Sequence, residues 1–276
     1  MTGALKRIKG GRVLVLVAKL SVIFTSALGL LLALGAILVH RVREHDAALG
    51  LTTSKVDSLS LRSLASFEEL TRSHDTFVHV FAVQFPLALT FYASIYVFKQ
   101  TFAIPGSAML NVLAGAFLPS LLAFPLVCVL TSCGASCCYL LSKRLASEAI
   151  VHSLSEQLLP GKLDILRSKI ENARAQGQLL FVLLFLRIFP FTPNWFLNLA
   201  SPWLSIPLKL FAPSVGLGLL PYNLITVQAG AMLSSLRNPS ELLDLRTMGW
   251  LALLAIGMLL PIVLKNRAKT QILKKE

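Results

Sequence analysis

The chain has 276 residues, of which 55% are hydrophobic and 14% charged, and a formal net charge of +13. Soluble domains carry roughly a quarter charged residues, so this chain is short of charge by about half. That balance argues against a soluble enzyme, a disordered chain or a nucleic-acid-binding domain. It makes the Lys/Arg excess the loop and tail charge of a polytopic membrane protein.

The first apolar run, Val13 to Val39, is interrupted only by Lys19. A span needs about 20 residues to cross a ~30 Å hydrocarbon core, so this run suffices with tilt. Lys6, Arg7, Lys9 and Arg12 precede it. The run is too long for a signal-peptide core of about 7–15 residues, which favours a retained signal-anchor with a cytosolic N-terminus. Arg41 to Asp75 is polar, and Leu61, Leu64 and Leu70 suggest a short amphipathic helix within it.

Phe77 to Phe98 reads as one span free of Asp, Glu, Lys and Arg. From Gln100 to Ser142 no such residue occurs either. As one straight helix that stretch would be about 64 Å long, twice the bilayer core. It must fold back, and Ala103-Ile104-Pro105-Gly106-Ser107, Pro119 and Pro125 mark where. The spacing predicts a half-membrane hairpin near 102–118, then a span from Leu121 to Leu141. Non-helical backbone at that depth is tolerated only when buried in protein or lining a wet cavity. Cys128, Cys133, Cys137 and Cys138 lie in this apolar stretch without a histidine at metal-ligand spacing. They read as buried core thiols, with no metal and no cofactor expected.

Residues 143–177 are charged and divided by Pro160-Gly161. Leu163, Leu166 and Ile170 recur at helical spacing, so an amphipathic helix is expected, either at the membrane interface or capping the bundle. Gln178 to Leu208 is apolar with a single ionised residue, Arg187, and contains Pro190, Pro193, Pro202 and Pro207. A second broken segment over 178–202 follows from that. Leu210 to Leu236 and Thr247 to Leu264 read as two further spans, ahead of a basic tail with Lys265, Arg267, Lys269, Lys274 and Lys275.

The two broken regions resemble each other. Pro105 precedes Leu110-Asn111-Val112-Leu113-Ala114-Gly115, and Pro193 precedes Leu197-Asn198-Leu199-Ala200-Ser201. Paired Pro/Gly-interrupted apolar segments point to a transporter-like binding site. Arg187 sharpens this, because an intramembrane arginine is expensive unless it faces a bundle interior or a wet cavity. Its guanidinium could hold a phosphate bidentately. Alternatively it caps carbonyls freed around Pro190 and Pro193, or snorkels. Asn111, Asn194, Asn198, Asn223 and Gln228 add amides, each fit for a helix–helix hydrogen bond or, together, for a polar groove.

Phe102-Ala103-Ile104-Pro105-Gly106-Ser107, followed by Leu113-Ala114-Gly115, resembles the first signature of the VTT family (DedA, or SNARE-associated Golgi proteins). Phe185-Leu186-Arg187-Ile188-Phe189-Pro190-Phe191-Thr192-Pro193-Asn194-Trp195-Phe196-Leu197-Asn198 resembles the second. With Gly134-Ala135-Ser136-Cys137-Cys138 between them, the form looks like the eukaryotic transmembrane protein 41 group. The resemblance covers roughly Phe98 to Leu236. It implies an endoplasmic-reticulum protein with two opposed re-entrant hairpins and energy-independent scrambling of phospholipids, supporting autophagosome and lipoprotein formation. Many bacterial members have Pro-Gly-Asp where this chain has Pro105-Gly106-Ser107, and a second arginine where it has Pro193-Asn194. Both departures count against proton coupling.

The expected architecture is an all-α polytopic membrane protein with five to six transmembrane helices plus two proline-broken re-entrant hairpins, an inverted-repeat, transporter-like plan. Residues 1–76 would hold the basic tail, signal-anchor and polar loop. Residues 77–236 would form the VTT-like membrane domain, with broken segments at 102–118 and 178–202 and the amphipathic stretch at 143–177. Residues 237–276 would supply the last helix and basic tail. The expected lipid pathway comprises Pro105, Gly106, Ser107, Asn111, Arg187, Pro190, Pro193, Asn194 and Asn198. Its partners would be membrane phospholipids, with no nucleic acid, and with copies or other subunits joining it in the membrane. No nucleophile–base pair is present, so enzyme chemistry is not expected. The rival readings are an ion- or proton-coupled transporter of a polar solute and a non-transporting membrane organiser. Five crossings would put the termini on opposite sides and six on the same side; the two basic ends favour a shared cytosolic side.

Overall fold

The computed structural model describes residues 2–51, 54–58, 73–158, 161–189 and 193–232. Among them the chain is helical, with no strand. Leu61, Leu64, Leu70, Pro190, the expected span Thr247 to Leu264 and the basic tail lie outside the described residues.

Helix α1 (Thr2–Ala48) runs past both ends of the apolar stretch Val13 to Val39. It stops where Gly50 takes a positive φ of 76°, the left-handed conformation that commonly closes a helix. Its C-terminal end is tied down by polar groups. The buried Asp46 carboxylate accepts from Ser54 Oγ and, at 2.8 Å, from His79 Nε2, while Arg43 Nε reaches Asp57 at 2.9 Å. These contacts join α1 to the short 3-10 turn Lys55–Ser58 and to α2 (His74–Val83).

The single span expected over Phe77 to Phe98 is instead two helices, α2 and α3 (Phe85–Thr101), bent by 118° at Gln84. Pro86 supplies the reason. It lacks an N–H and fits only the first turn of a helix, so the helix restarts there. Helix α4 (Ser107–Phe117) follows, and Leu118-Pro119 separates it from α5 (Ser120–Leu145), a full-length apolar helix beginning and ending close to the expected bounds. Cys138 is buried on α5, but Cys128 and Cys137 are half-buried and Cys133 is exposed. The four thiols were expected in the core together; α5 carries Cys133 round to its outer face instead.

Helices α6 (Glu148–Leu158) and α7 (Lys162–Ala175) divide at Gly161, as the sequence suggested. The stripe Leu163, Leu166 and Ile170 is buried in one apolar cluster with Leu179, Leu183, Leu186 and Leu197. The stripe therefore packs against the bundle. Helix α8 (Leu179–Ile188) precedes the second break, and α9 (Asn194–Ala200) follows it. The span expected from Leu210 to Leu236 is a bent pair, α10 (Leu208–Gly218) and α11 (Leu220–Ala231), turned by 42° near Pro221. Among the described residues two helices, α1 and α5, are long and apolar enough to cross a membrane by themselves, and the count rises to four if each bent pair is one span. At 11 and 10 residues, α4 and α8 are too short to cross.

Three apolar clusters make the core of the described residues. One joins α7, α8, α9 and α10 against Ala135 and Tyr139 of α5; a second joins α3, α4, α5 and α11; a third joins Leu38 and Val42 of α1 to Val56, Val80 and Ala88. In the second, α4 and α11 touch backbone to backbone. A Cβ on Gly115 would stand 1.9 Å from the Val227 carbonyl oxygen, and one on Gly230 would stand 1.9 Å from that of Val112. Small residues at such crossings let helices gain van der Waals contact that larger side chains would block. Gly115→Ala and Gly230→Ala are each expected to cost about 1–3 kcal/mol through forced separation. Gly29→Ala, whose Cβ meets nothing within 4 Å, should be neutral or slightly stabilising. Thermal unfolding of the detergent-solubilised variants checks the contrast.

Candidate functional site

The first break is built by the chain turning back on the end of α3. Phe102, Ala103 and Ile104 donate their N–H groups to the carbonyls of Phe98, Gln100 and Lys99 at 3.1, 3.3 and 2.9 Å. Ala103 holds a φ of 53° and Gly106 one of 101°. At Gly106 the positive φ calls for glycine; at Ala103 it carries a strain of about 1–2 kcal/mol. In the second break Phe189 N–H reaches Phe185 O at 2.9 Å, and Pro193 leads into α9, its carbonyl accepting from Phe196 and Leu197.

Arg187 sits on the last turn of α8, buried to 3% exposure. Its Nη1 donates to Asn198 Oδ1 at 2.7 Å, to Asn194 Oδ1 at 3.2 Å and to Asn194 O at 3.4 Å. Its guanidinium carbon lies 4.9 Å from the centre of the Phe211 ring, a cation–π distance. Gly218 makes the approach of α10 feasible, since a Cβ there would meet Arg187 Cβ at 2.5 Å. Nε has no partner, and no carboxylate pairs with this arginine among the described residues. Of the carbonyls around the break it meets that of Asn194 alone among the described residues. Amide side chains and a ring thus hold the charge without neutralising it.

Asn111 on α4 belongs to a different network. It is fully buried, accepts from Tyr96 OH at 2.9 Å, and donates to Asn223 Oδ1 at 3.1 Å and Thr226 Oγ1 at 2.9 Å. The Tyr96 hydroxyl also meets Thr131 Oγ1 at 2.7 Å. These bonds tie α3, α4, α5 and α11 together, the helix–helix role that single amides take in membranes.

Between the two breaks lies a cavity of about 450 Å³. Ala103, Ile104, Pro105 and Ser107 line it from the first segment, and Arg187, Ile188, Phe189, Asn194, Trp195 and Asn198 from the second. The repeat read from the sequence therefore marks two segments that converge on one chamber. Pro105, Ser107, Arg187, Asn194 and Asn198 are in its wall. Gly106 is the hinge beside them, Pro193 begins α9 away from the wall, and Asn111 lies in the helix–helix network. Pro190 lies outside the described residues. The remaining wall comes from Tyr96, Gln100, Thr131, Leu219, Tyr222 and Asn223, of which the sequence reading had singled out only Asn223. The uncharged polar residues were visible as exceptions within apolar runs; nothing in the sequence marked Phe211 as the ring beneath Arg187.

One grouping of metal-type ligands occurs among the described residues, His152, Glu156 and Asp164. All three are exposed, and Glu156 already accepts the backbone N–H of Gly161 at 3.1 Å.

Residues 104–232, which contain the second break and most of the cavity wall, match the VTT domain. The chain carries a VTT domain. It is 36% identical over 183 residues to a transmembrane protein 41 homolog of Dictyostelium discoideum, a match covering 66% of this chain and 53% of that protein. Transmembrane protein 41B of Gallus gallus is 36% identical over 181 residues (66% and 65%), and that of Homo sapiens 35% (66% and 60%). The match to these VTT-domain relatives thus spans less than two thirds of their own length. No solved structure matches. The chain is a multi-pass membrane protein, and most of the cavity wall lies within its VTT domain.

Two substitutions separate the two networks. Asn198→Ala removes the shortest bond of a buried charge and is expected to cost about 1.5–3 kcal/mol. Tyr96→Phe removes a neutral interhelical bond and is expected to cost about 1 kcal/mol. Thermal unfolding in detergent, with both proteins at matched concentration, gives the ordering.

Proposed function

We propose that this VTT-domain protein is an energy-independent phospholipid scramblase of the endoplasmic reticulum membrane. In this reading the two broken segments are re-entrant hairpins, and the chamber between them is part of a polar furrow. Headgroups pass along the furrow while acyl chains stay outside it. The observation that carries the proposal is Arg187: a buried cation with no carboxylate partner among the described residues, in the wall where the two segments meet. Burying a phosphate in hydrocarbon is prohibitive without compensation, and a fixed guanidinium with nearby amides supplies it. No covalent bond is made or broken, so the protein acts as a passage and not as an enzyme.

The resemblance to the transmembrane protein 41 group supports the endoplasmic-reticulum location and a role in redistributing lipid for autophagosome or lipoprotein formation. An ion-coupled transporter is the rival reading. No Asp or Glu lines the cavity among the described residues, which favours passive transfer over proton coupling through a carboxylate. Both termini are proposed to face the cytosol; a cysteine placed in each tail should show the same accessibility to an impermeant thiol reagent, and opposite accessibility would reject that arrangement.

Purified protein in liposomes should equilibrate fluorescent lipids between leaflets without any ion gradient. Flux that requires a proton or sodium gradient would favour the rival. Arg187→Lys should retain partial transfer, because a point charge survives while the fork is lost. Arg187→Gln should slow phosphatidylserine more than phosphatidylcholine at matched folded protein density. Equal slowing of the two lipids would leave Arg187 a scaffold residue.

A further inference from the structure

A second cavity, of about 500 Å³, lies against the first. It runs between α1, the end of α3, α5 and α6, and Leu16, Leu20 and Phe24 line it on one side of α1. Across from them stand Leu141, Leu145 and Ile150. The two cavities have two wall residues in common, Ala103 and Ile104. Their chemistry is opposite. Hydroxyls border the second cavity, yet Thr25, Thr101 and Ser142 spend their protons on the backbone carbonyls of Ser21, Val97 and Leu199 at 2.8, 2.7 and 2.8 Å. The first cavity instead has Arg187 in its wall, with no carboxylate paired to it among the described residues.

A polar chamber with uncompensated positive charge and an apolar groove, divided by one turn of chain, is complementary to a molecule with an anionic head and a long alkyl tail. We propose that the groove holds one acyl chain of the phospholipid whose phosphate occupies the Arg187 chamber, with Ala103-Ile104 as the sill over which the glycerol backbone sits. The inference rests on the scrambling proposal for the identity of the lipid, and adds that one tail travels against α1 and not in bulk lipid. The positive φ of Ala103 has a use on this account, since it turns the chain to set Ile104 between the two spaces.

The test uses the full-length protein in liposomes containing phosphatidylcholine with a diazirine either near the carbonyl or at the methyl end of one chain. After photolysis, the labelled residues are mapped by mass spectrometry. The carbonyl-proximal probe should label Phe102 to Ile104, and the terminal probe should move to groove residues of α1, α5 and α6. Leu20→Trp, which fills the groove, should cut groove labelling about ten-fold, the loss expected for two methylenes no longer buried. Val17→Trp, on the exposed side of α1, should leave it unchanged. Labelling spread evenly over Leu14, Val15, Val17 and Val22, or unaffected by Leu20→Trp, overturns the proposal. In Arg187→Gln the difference between the two probe positions should collapse; if it survives, the groove holds chains independently of the chamber and the shared site is wrong. A preserved labelling pattern in protein that transfers no lipid would reject scrambling while leaving the two-part site in place.

Discussion

A guanidinium buried in an apolar protein must be compensated, and among the described residues Arg187 is held by amides and a ring and by no carboxylate. Two asparagine side chains and the face of Phe211 fix its position. A carboxylate partner would have stabilised the pair and closed the site electrostatically. Amides leave the field of the charge intact, so the chamber keeps its attraction for an anion. The break after α8, the short helix α9 and the glycine at 218 all serve that geometry. Asn194 and Asn198 lie on the first turns of α9 because the helix restarts at Pro193, and α10 can close over the arginine because residue 218 has no side chain.

The two halves of the repeat use their matching asparagines differently. Asn111 accepts from a tyrosine hydroxyl and gives both amide protons to α11; Asn198 accepts from Arg187. The first half is thereby the rigid one, sealed by neutral hydrogen bonds and by backbone contact at Gly115 and Gly230. The second carries the charge. A site between a stiff wall and a charged wall holds its electrostatics in register without a closed shell of protein around it.

Much of this was legible in the sequence, and the reasons are specific. A charge-free stretch from Gln100 to Ser142 cannot be one helix, and Pro105, Gly106 and Pro119 show where it turns. A lone arginine in an apolar run marked the centre of the chamber, and its asparagine partners stood at helical spacing after Pro193. What failed to be read was the effect of proline at helix starts: Pro86 and Pro221 were taken inside continuous spans, whereas each begins a new helix after a bend. Hydropathy averages over such bends because the residues on both sides are equally apolar. Tertiary neighbours were also invisible. Nothing local joins Phe211 or Gly218 to Arg187, or Tyr96 to Asn111, because those meetings depend on how the helices cross.

The bends and breaks also set how the protein meets its surroundings. Helix α3 has 17 residues, α8 has 10 and α4 has 11, which correspond to about 25, 15 and 16 Å of helix. A hydrocarbon core is about 30 Å thick, and a bilayer meets shorter apolar elements by thinning, at fractions of a kcal/mol per Å. Helices α1 and α5, of 47 and 26 residues, exceed that thickness, whereas α3, α4 and α8 fall short of it. A lipid taken up at the chamber, as proposed above, would start its crossing beside these short elements.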